Sequence, residues 1–288
     1  MSRWPPRPRV GSSFFKAHGL GNDYLVFDEG DDWRAEPEWV LRVCDPHRGV
    51  GSDGIVVLLG DRSEGVFRAR MFNPDGSEFE RSGNGLRVLG AYLTRIAPRQ
   101  SRYVVEVGGE RVKLELHARH GSELDISVEM GRAATGPAAV DLDPSALDEQ
   151  GRIAGPGGAP LRVVPVSVGN PHLVVLTDRL TDEELHRVGA HLVGHPALAH
   201  GANVQLASRV GPGVLRALIW ERGVGPTSAS GTSACAVAVA AVREGLEKPS
   251  ELHVEMPGGT LSVTVSDAYD VVLRGPVEEV FTGTLLAP

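Results

Sequence analysis

Two cysteines, Cys44 and Cys235, are all that the 288 residues carry. That scarcity excludes a disulfide framework and any cysteine-rich metal site. A single bridge between the two stays open from sequence alone, but burial habits favour a pair of reduced, buried thiols. The chain also lacks any block of Lys or Arg: 29 basic residues stand against 37 acidic ones, for a net charge of −8. With no patch to neutralise a phosphate backbone, nucleic acid is not an expected partner. No apolar run approaches the length that spans a bilayer, and Met1–Gly11, with Arg3, Arg7, Arg9 and three prolines, has no signal-peptide core. The expectation is a cytoplasmic protein that engages no membrane, with a disordered leader over residues 1–12.

What is present is a 41% apolar chain with 36 glycines and 20 prolines. It has material for a substantial core, cut into many short elements by tight turns. Apolar runs of strand length recur, among them Val66–Phe72, Tyr103–Val107, Val204–Leu206, Val214–Trp220 and Glu251–Met256. Several alternate apolar with polar residues, as strands of mixed or antiparallel sheets do. Two helical segments matter, Gly83–Arg95 and Gly231–Glu244. Each is apolar nearly all round, which places it inside a domain. The stretch Ala133–Ala159 has few periodic signals and reads as a crossover between halves. The halves share one plan, which implies an internal duplication.

Both buried helices open on a small-residue turn, S-G-N-G at Ser82–Gly85 and S-G-T-S at Ser230–Ser233. A helix N-terminus offers unpaired backbone N–H groups and a positive dipole end, so such a turn suits a small carboxylate. Either turn alone reads equally as an ordinary cap; their repetition favours a site. Polar residues that a core would not choose sit near strand ends: Asn22 with Asp23, Asn73 with Asp75, Asn170 with His172, Asn203, and Glu221 with Arg222. Amides and a guanidinium together can read the carboxylate and ammonium of a zwitterion.

These residues belong to ordered motifs: F-F-K-A-H-G-L-G-N-D-Y, H-R-G-V-G-S-D-G, F-N-P-D-G-S-E, S-G-N-G-L-R, V-G-N-P-H, G-A-N-V-Q, W-E-R-G-V-G and S-G-T-S-A-C-A. In order and approximate spacing they resemble the diaminopimelate epimerase family, from residue 14 to about 285. The resemblance implies an α+β fold of two pseudo-symmetric domains, each a mixed or antiparallel sheet wrapped around a central buried helix. It places the first domain at 13–132 with a returning C-terminal strand at about 276–288, and the second at 133–275. It implies a small-molecule amino-acid substrate, racemisation or epimerisation at Cα with no pyridoxal phosphate, no metal and no other cofactor, a place in making a lysine or peptidoglycan precursor, and an assembly compatible with a homodimer. It assigns substrate binding to Asn22, Asn73, Gly83, Asn84, Asn170, His172, Asn203, Glu221, Arg222, Gly231 and Thr232.

In that family a cysteine opens each helix, one thiolate removing the α-proton while the opposite thiol supplies one. Here those positions are Ser82 and Ser230. A serine hydroxyl is a far weaker acid than a thiol and needs an adjacent base. His172 and His18 are the histidines with a chance of approaching in space; Cys235, five residues along its helix, is not a ready substitute. Pro226 stands where the family commonly has glutamate, and Arg81 also departs from the pattern. Four readings follow: an epimerase working through Ser82, Ser230 and a recruited carboxylate such as Glu221; a dehydratase or double-bond isomerase using one general base, such as Glu221, Asp75 or a histidine; a non-catalytic amino-acid-binding paralogue; or an epimerase whose two cysteines were replaced by engineering, against which Pro226 and Arg81 argue.

Overall fold

The computed structural model describes residues 13–29, 36–60, 65–79 and 81–285; the expected leader at 1–12 lies outside them. The chain divides into two compact units, Met1–Val128 with Pro276–Pro288, and Glu129–Gly275. The first contains β1 (Ser13–Gly19), β2 (Asn22–Asp28), α1 (Pro37–Cys44), β3 (Ile55–Leu58), β4 (Val66–Phe72), β5 (Glu78–Phe79), α2 (Gly83–Ile96), β6 (Arg102–Val107), β7 (Glu110–His120) and most of β8 (Glu123–Arg132). The second contains β9 (Ala134–Thr135), β10 (Arg152–Ala154), β11 (Pro160–Ser167), β12 (Pro171–Leu176), α3 (Asp182–Leu192), β13 (Asn203–Gly211), β14 (Val214–Glu221), β15 (Gly225–Thr227), α4 (Gly231–Arg243), β16 (Glu251–Met256), β17 (Gly259–Val265) and the start of β18 (Asp270–Thr284).

Strand pairing makes the duplication explicit. In the first unit β1–β2 is antiparallel, β2–β3 parallel, β3–β4 and β4–β5 antiparallel, β4–β6 parallel, and β6–β7 and β7–β8 antiparallel. The second repeats that succession: β11–β12 antiparallel, β12–β13 parallel, β13–β14 and β14–β15 antiparallel, β14–β16 parallel, and β16–β17 and β17–β18 antiparallel. Each parallel pair needs a crossover, and helices take those places: α1 and α3 in the first crossover of each unit, α2 and α4 in the second.

Within each unit the second crossover helix is the centre. α2 packs against β1, β2, β3 and β7, and α4 against β11–β14, β16 and β17. Leu86, Leu89 and Leu93 of α2 and Ala234–Ala241 of α4 are sealed from solvent. Burial of each large side chain contributes about 1.5–3 kcal/mol, so the helix is fixed by its surroundings more than by its own propensity. β16 and β6 bury every second residue, the alternation expected of a strand with one covered face.

The stretch Ala133–Ala159 is more than a connector. Its Val140, Leu142 and Ile153 are buried in one cluster with Leu185, Val188 and Leu192 of α3 and with Leu173, Val204 and Leu206 of the sheet. Short 3-10 turns at Pro137–Val140 and Pro144–Ala146 set those side chains without a helical or alternating period. Both cysteines are unbridged and buried. Burial, aided by the nearby Asp23 and Asp53 charges, pushes the Cys44 thiol up to about 12. No helix among the described residues is long and apolar enough to cross a membrane.

Candidate active site

In the first unit, α2 begins at Gly83 with Ser82 as its cap in extended conformation. The Ser82 hydroxyl accepts from Gly85 N–H at 3.1 Å, and its own N–H points to Met71 Sδ at 3.3 Å. Asn84, almost wholly buried, donates through Nδ2 to both the backbone oxygen and Oδ1 of Asn22 at 2.6 Å each. Its Oδ1 receives Arg87 Nη2 at 2.8 Å, and Arg87 Nη1 reaches the Pro276 carbonyl at 3.2 Å. Asn22 Nδ2 donates in turn to Asp53 Oδ2 at 3.0 Å, which also accepts from Asp23 N–H at 3.0 Å. Lys16 Nζ lies 2.7 Å from Asp23 Oδ2 and 2.7 Å from the Gly51 carbonyl. Burial raises the Asp53 carboxyl above the usual range, opposed by its bond from Asp23 N–H.

Asn73 and Asp75 form a closed turn. Asn73 Nδ2 donates to Ser77 Oγ at 3.0 Å, and Asp75 Oδ1 accepts from the Ser77 hydroxyl and N–H at 2.6 and 2.9 Å. Those bonds hold the exposed Asp75 carboxyl below its ordinary range, which makes it a poor general base. His18 accepts weakly from Gly21 N–H at 3.4 Å and faces Glu278 at 3.5 Å.

The second unit differs at its opening. Ser230 caps α4 in extended conformation, but its side chain makes no cap hydrogen bond. Beneath this opening runs a polar chain that is sealed at His172, Gln205 and Ser233 and half-buried at Asn170 and Thr232. Asn170 Nδ2 lies 3.5 Å from Thr232 Oγ1, and Asn170 Oδ1 is 2.9 Å from His172 Nε2. His172 Nδ1 is 3.0 Å from Gln205 Nε2, which also donates to Ser233 Oγ at 3.0 Å. His172, Gln205 and Ser233 are all 0% exposed. Burial drives the His172 pKa down to about 3, so the imidazole is neutral at pH 7. The histidine therefore supplies no base to Ser230; both ring nitrogens are engaged by amides. Cys235 is equally sealed, one turn beyond.

Asn203, opposite His172 in the β12–β13 register, accepts from Arg222 N–H at 2.9 Å through Oδ1. Arg222 also donates through Nη1 to the His200 carbonyl. Glu221, half-buried, ends β14 opposite Gly225, and Pro226 pairs with Trp220 on the exposed side of β15. The site residues thus gather in two groups. Ser82, Gly83, Asn84 and Asn22 form one, and Ser230, Gly231, Thr232, Asn170 and His172 the other, with Asn203, Glu221 and Arg222 at neighbouring strand ends. Sequence reasoning gave no role to Asp53, Arg87 or Gln205. All three lie inside the quoted motifs, but neither the burial of Arg87 and Gln205 against polar partners nor the bonds from Asn22 and Asp23 to Asp53 have a signal in spacing.

A sheet around a buried helix, repeated twice and opened each time by a serine and a glycine, defines a two-fold repeated α+β architecture. The chain matches the family described as diaminopimelate epimerase over residues 14–135 and 164–280, and it belongs to that family. It is 39% identical over 276 residues to the diaminopimelate epimerase of Desulforudis audaxviator, covering 94% of this chain and 98% of that one. It is 34% identical over 284 residues to that of Methanothermobacter thermautotrophicus, covering 95% and 98%. Among solved structures, a hydroxyproline epimerase from Agrobacterium vitis with bound trans-4-hydroxy-L-proline superposes with TM-score 0.71 at 15% identity, over 99% of this chain and 94% of that one. A phenazine biosynthesis protein of the PhzF family from Bacillus anthracis superposes with TM-score 0.67 at 15% identity, over 96% and 99%. At such identities these two establish the shared fold.

Proposed function

We propose that this protein is an isomerase that epimerises an amino acid at Cα, with LL-diaminopimelate and its meso isomer as the substrate pair. The observation that carries the reading is that the family match spans both repeats, and each repeat begins its buried helix at a glycine that follows a serine. In each unit the first-turn amides of the central helix, α2 in one and α4 in the other, are donors of the kind that stabilises a carboxylate whose charge grows as the α-proton leaves. The resemblance assigns the amino acid's polar contacts to Asn22, Asn73 and Asn84 in the first unit and to Asn170, Asn203 and Arg222 in the second; Asn84 acts through Asn22, and His172 through Asn170, because both are buried.

Ser82 and Ser230 take the places of the acid–base pair. A hydroxyl needs a base to act, and with His172 neutral and enclosed, Glu221 is the carboxylate assigned to that work. The test is exchange in D2O. Incubation with LL-diaminopimelate should place deuterium at the α-carbon and yield the meso isomer; no label in that substrate or in any of a broad amino-acid panel would overturn the reading.

A further inference from the structure

The polar chain under α4 has a direction. Gln205 Nε2 spends both of its hydrogens, one toward His172 Nδ1 and one toward Ser233 Oγ, each at 3.0 Å. His172 Nδ1 must then be a bare acceptor, which puts the ring proton on Nε2, where Asn170 Oδ1 receives it at 2.9 Å. Asn170 is thereby turned with its NH2 toward Thr232, at the first turn of α4. The opposite polarity would run through the same atoms: Gln205 accepting, Nδ1 protonated, Asn170 Oδ1 toward the helix opening. It is disfavoured by what it would strand. In the present direction one buried oxygen, Gln205 Oε1, lacks a partner among the described residues. Reversal would strand the two N–H donors of the same amide instead, at greater cost.

We propose that Gln205 is a positioning residue: it fixes His172 as the Nε2–H tautomer and through it aims the Asn170 NH2 at the opening of α4. The importance of the direction follows from the charge expected there. A donor amide adds to the helix N–H groups in receiving a carboxylate, whereas an exposed Oδ1 would oppose it. Gln205 thus sets the sign of a polar contact it never touches. The consequence for substrate rests on the amino-acid reading above; the tautomer does not.

The test is nitrogen-15 NMR of the ligand-free protein, with LL-diaminopimelate binding by calorimetry alongside. In the wild type, His172 should show a protonated Nε2 and a bare Nδ1 throughout pH 5–8. In Q205M, close in shape but without the donor, that fixed pattern should dissolve into exchanging tautomers, and affinity should fall about tenfold, the effect of one misdirected buried hydrogen bond. Should Q205M fold poorly, Q205E serves: its ionised carboxylate only accepts, so Nδ1 should gain a proton. A wild-type ring protonated on Nδ1, or a ring pattern unchanged by Q205E, overturns the proposal. If the wild type binds no LL-diaminopimelate while the ring pattern is as expected, the substrate reading fails and the positioning role stands.

Discussion

Arg87 Nη2 donates to Asn84 Oδ1 at 2.8 Å, three positions back along α2, and the arginine is 1% exposed. This bond leaves Nδ2 as the only end of Asn84 that can face Asn22, so a buried guanidinium sets which way the first amide pair points. R87M should cost about 2–3 kcal/mol, because Asn84 Oδ1 and the Pro276 carbonyl lose a charged donor inside the core. Urea denaturation measures it; an unchanged midpoint would show the pair to be dispensable.

Gly19 lets β1 pass close to this pair. A Cβ there would lie 2.1 Å from Asn84 Oδ1 and 2.9 Å from Arg87 Nη2, at a backbone conformation that itself favours no special residue. G19A should therefore displace Asn84 rather than strain β1. It is expected to lower stability by about 1–3 kcal/mol and to weaken amino-acid binding, read together by thermal unfolding with and without ligand. Loss of stability with binding intact would separate the glycine from the site.

Much of this architecture is legible in the sequence because period and turns carry it. β4 and β16 run over the same residues as their apolar stretches, and both buried helices begin at the glycine that follows the serine of each small-residue turn, Gly83 and Gly231. α3 goes unread in the sequence because its few apolar residues, Leu185, Val188 and Leu192, are set among charged ones, although Thr181 caps Glu184 N–H at 3.2 Å and the first turn is acidic, the spacing of a capping box. β15 and β5 were missed because strands of three and two residues are defined by their neighbours. The polar chain from Gln205 to Asn170 was illegible for a different reason. Sequence gives which residues carry amides, but only the β12–β13 register and the closeness of α4 decide which amide meets which ring.

His172 should leave a signature in the acid limb of stability. Its folded pKa is depressed to about 3 from 6.5, so between these values the unfolded chain binds a proton that the folded one refuses. Stability is then fully present above about 6.5 and falls as pH drops toward 3, by about 2 kcal/mol between pH 7 and 5 from this group alone. Asp53, whose carboxyl is raised by burial, acts in the opposite sense, but it is common to wild type and H172Q. The difference between the two pH profiles isolates the ring; parallel profiles from pH 7 to 5 would mean that His172 takes up a proton in the fold.

The two opening serines differ in a way that separates structure from chemistry. Ser82 Oγ satisfies Gly85 N–H, whereas Ser230 Oγ makes no cap bond. S82A should cost about 1 kcal/mol of stability, the usual worth of an N-cap, and S230A no more than about 0.5. If both serve proton transfer, each change should nonetheless reduce deuterium exchange at Cα severely, so that activity and stability part company at position 230. The converse change is more telling. A thiol at a helix N-terminus is a far better acid and base than a hydroxyl, so S82C combined with S230C should raise exchange about 100-fold or more, with no auxiliary base required. A double variant that binds LL-diaminopimelate yet exchanges no faster would place the limit in the surrounding amides and Glu221, not in the two atoms that open the helices.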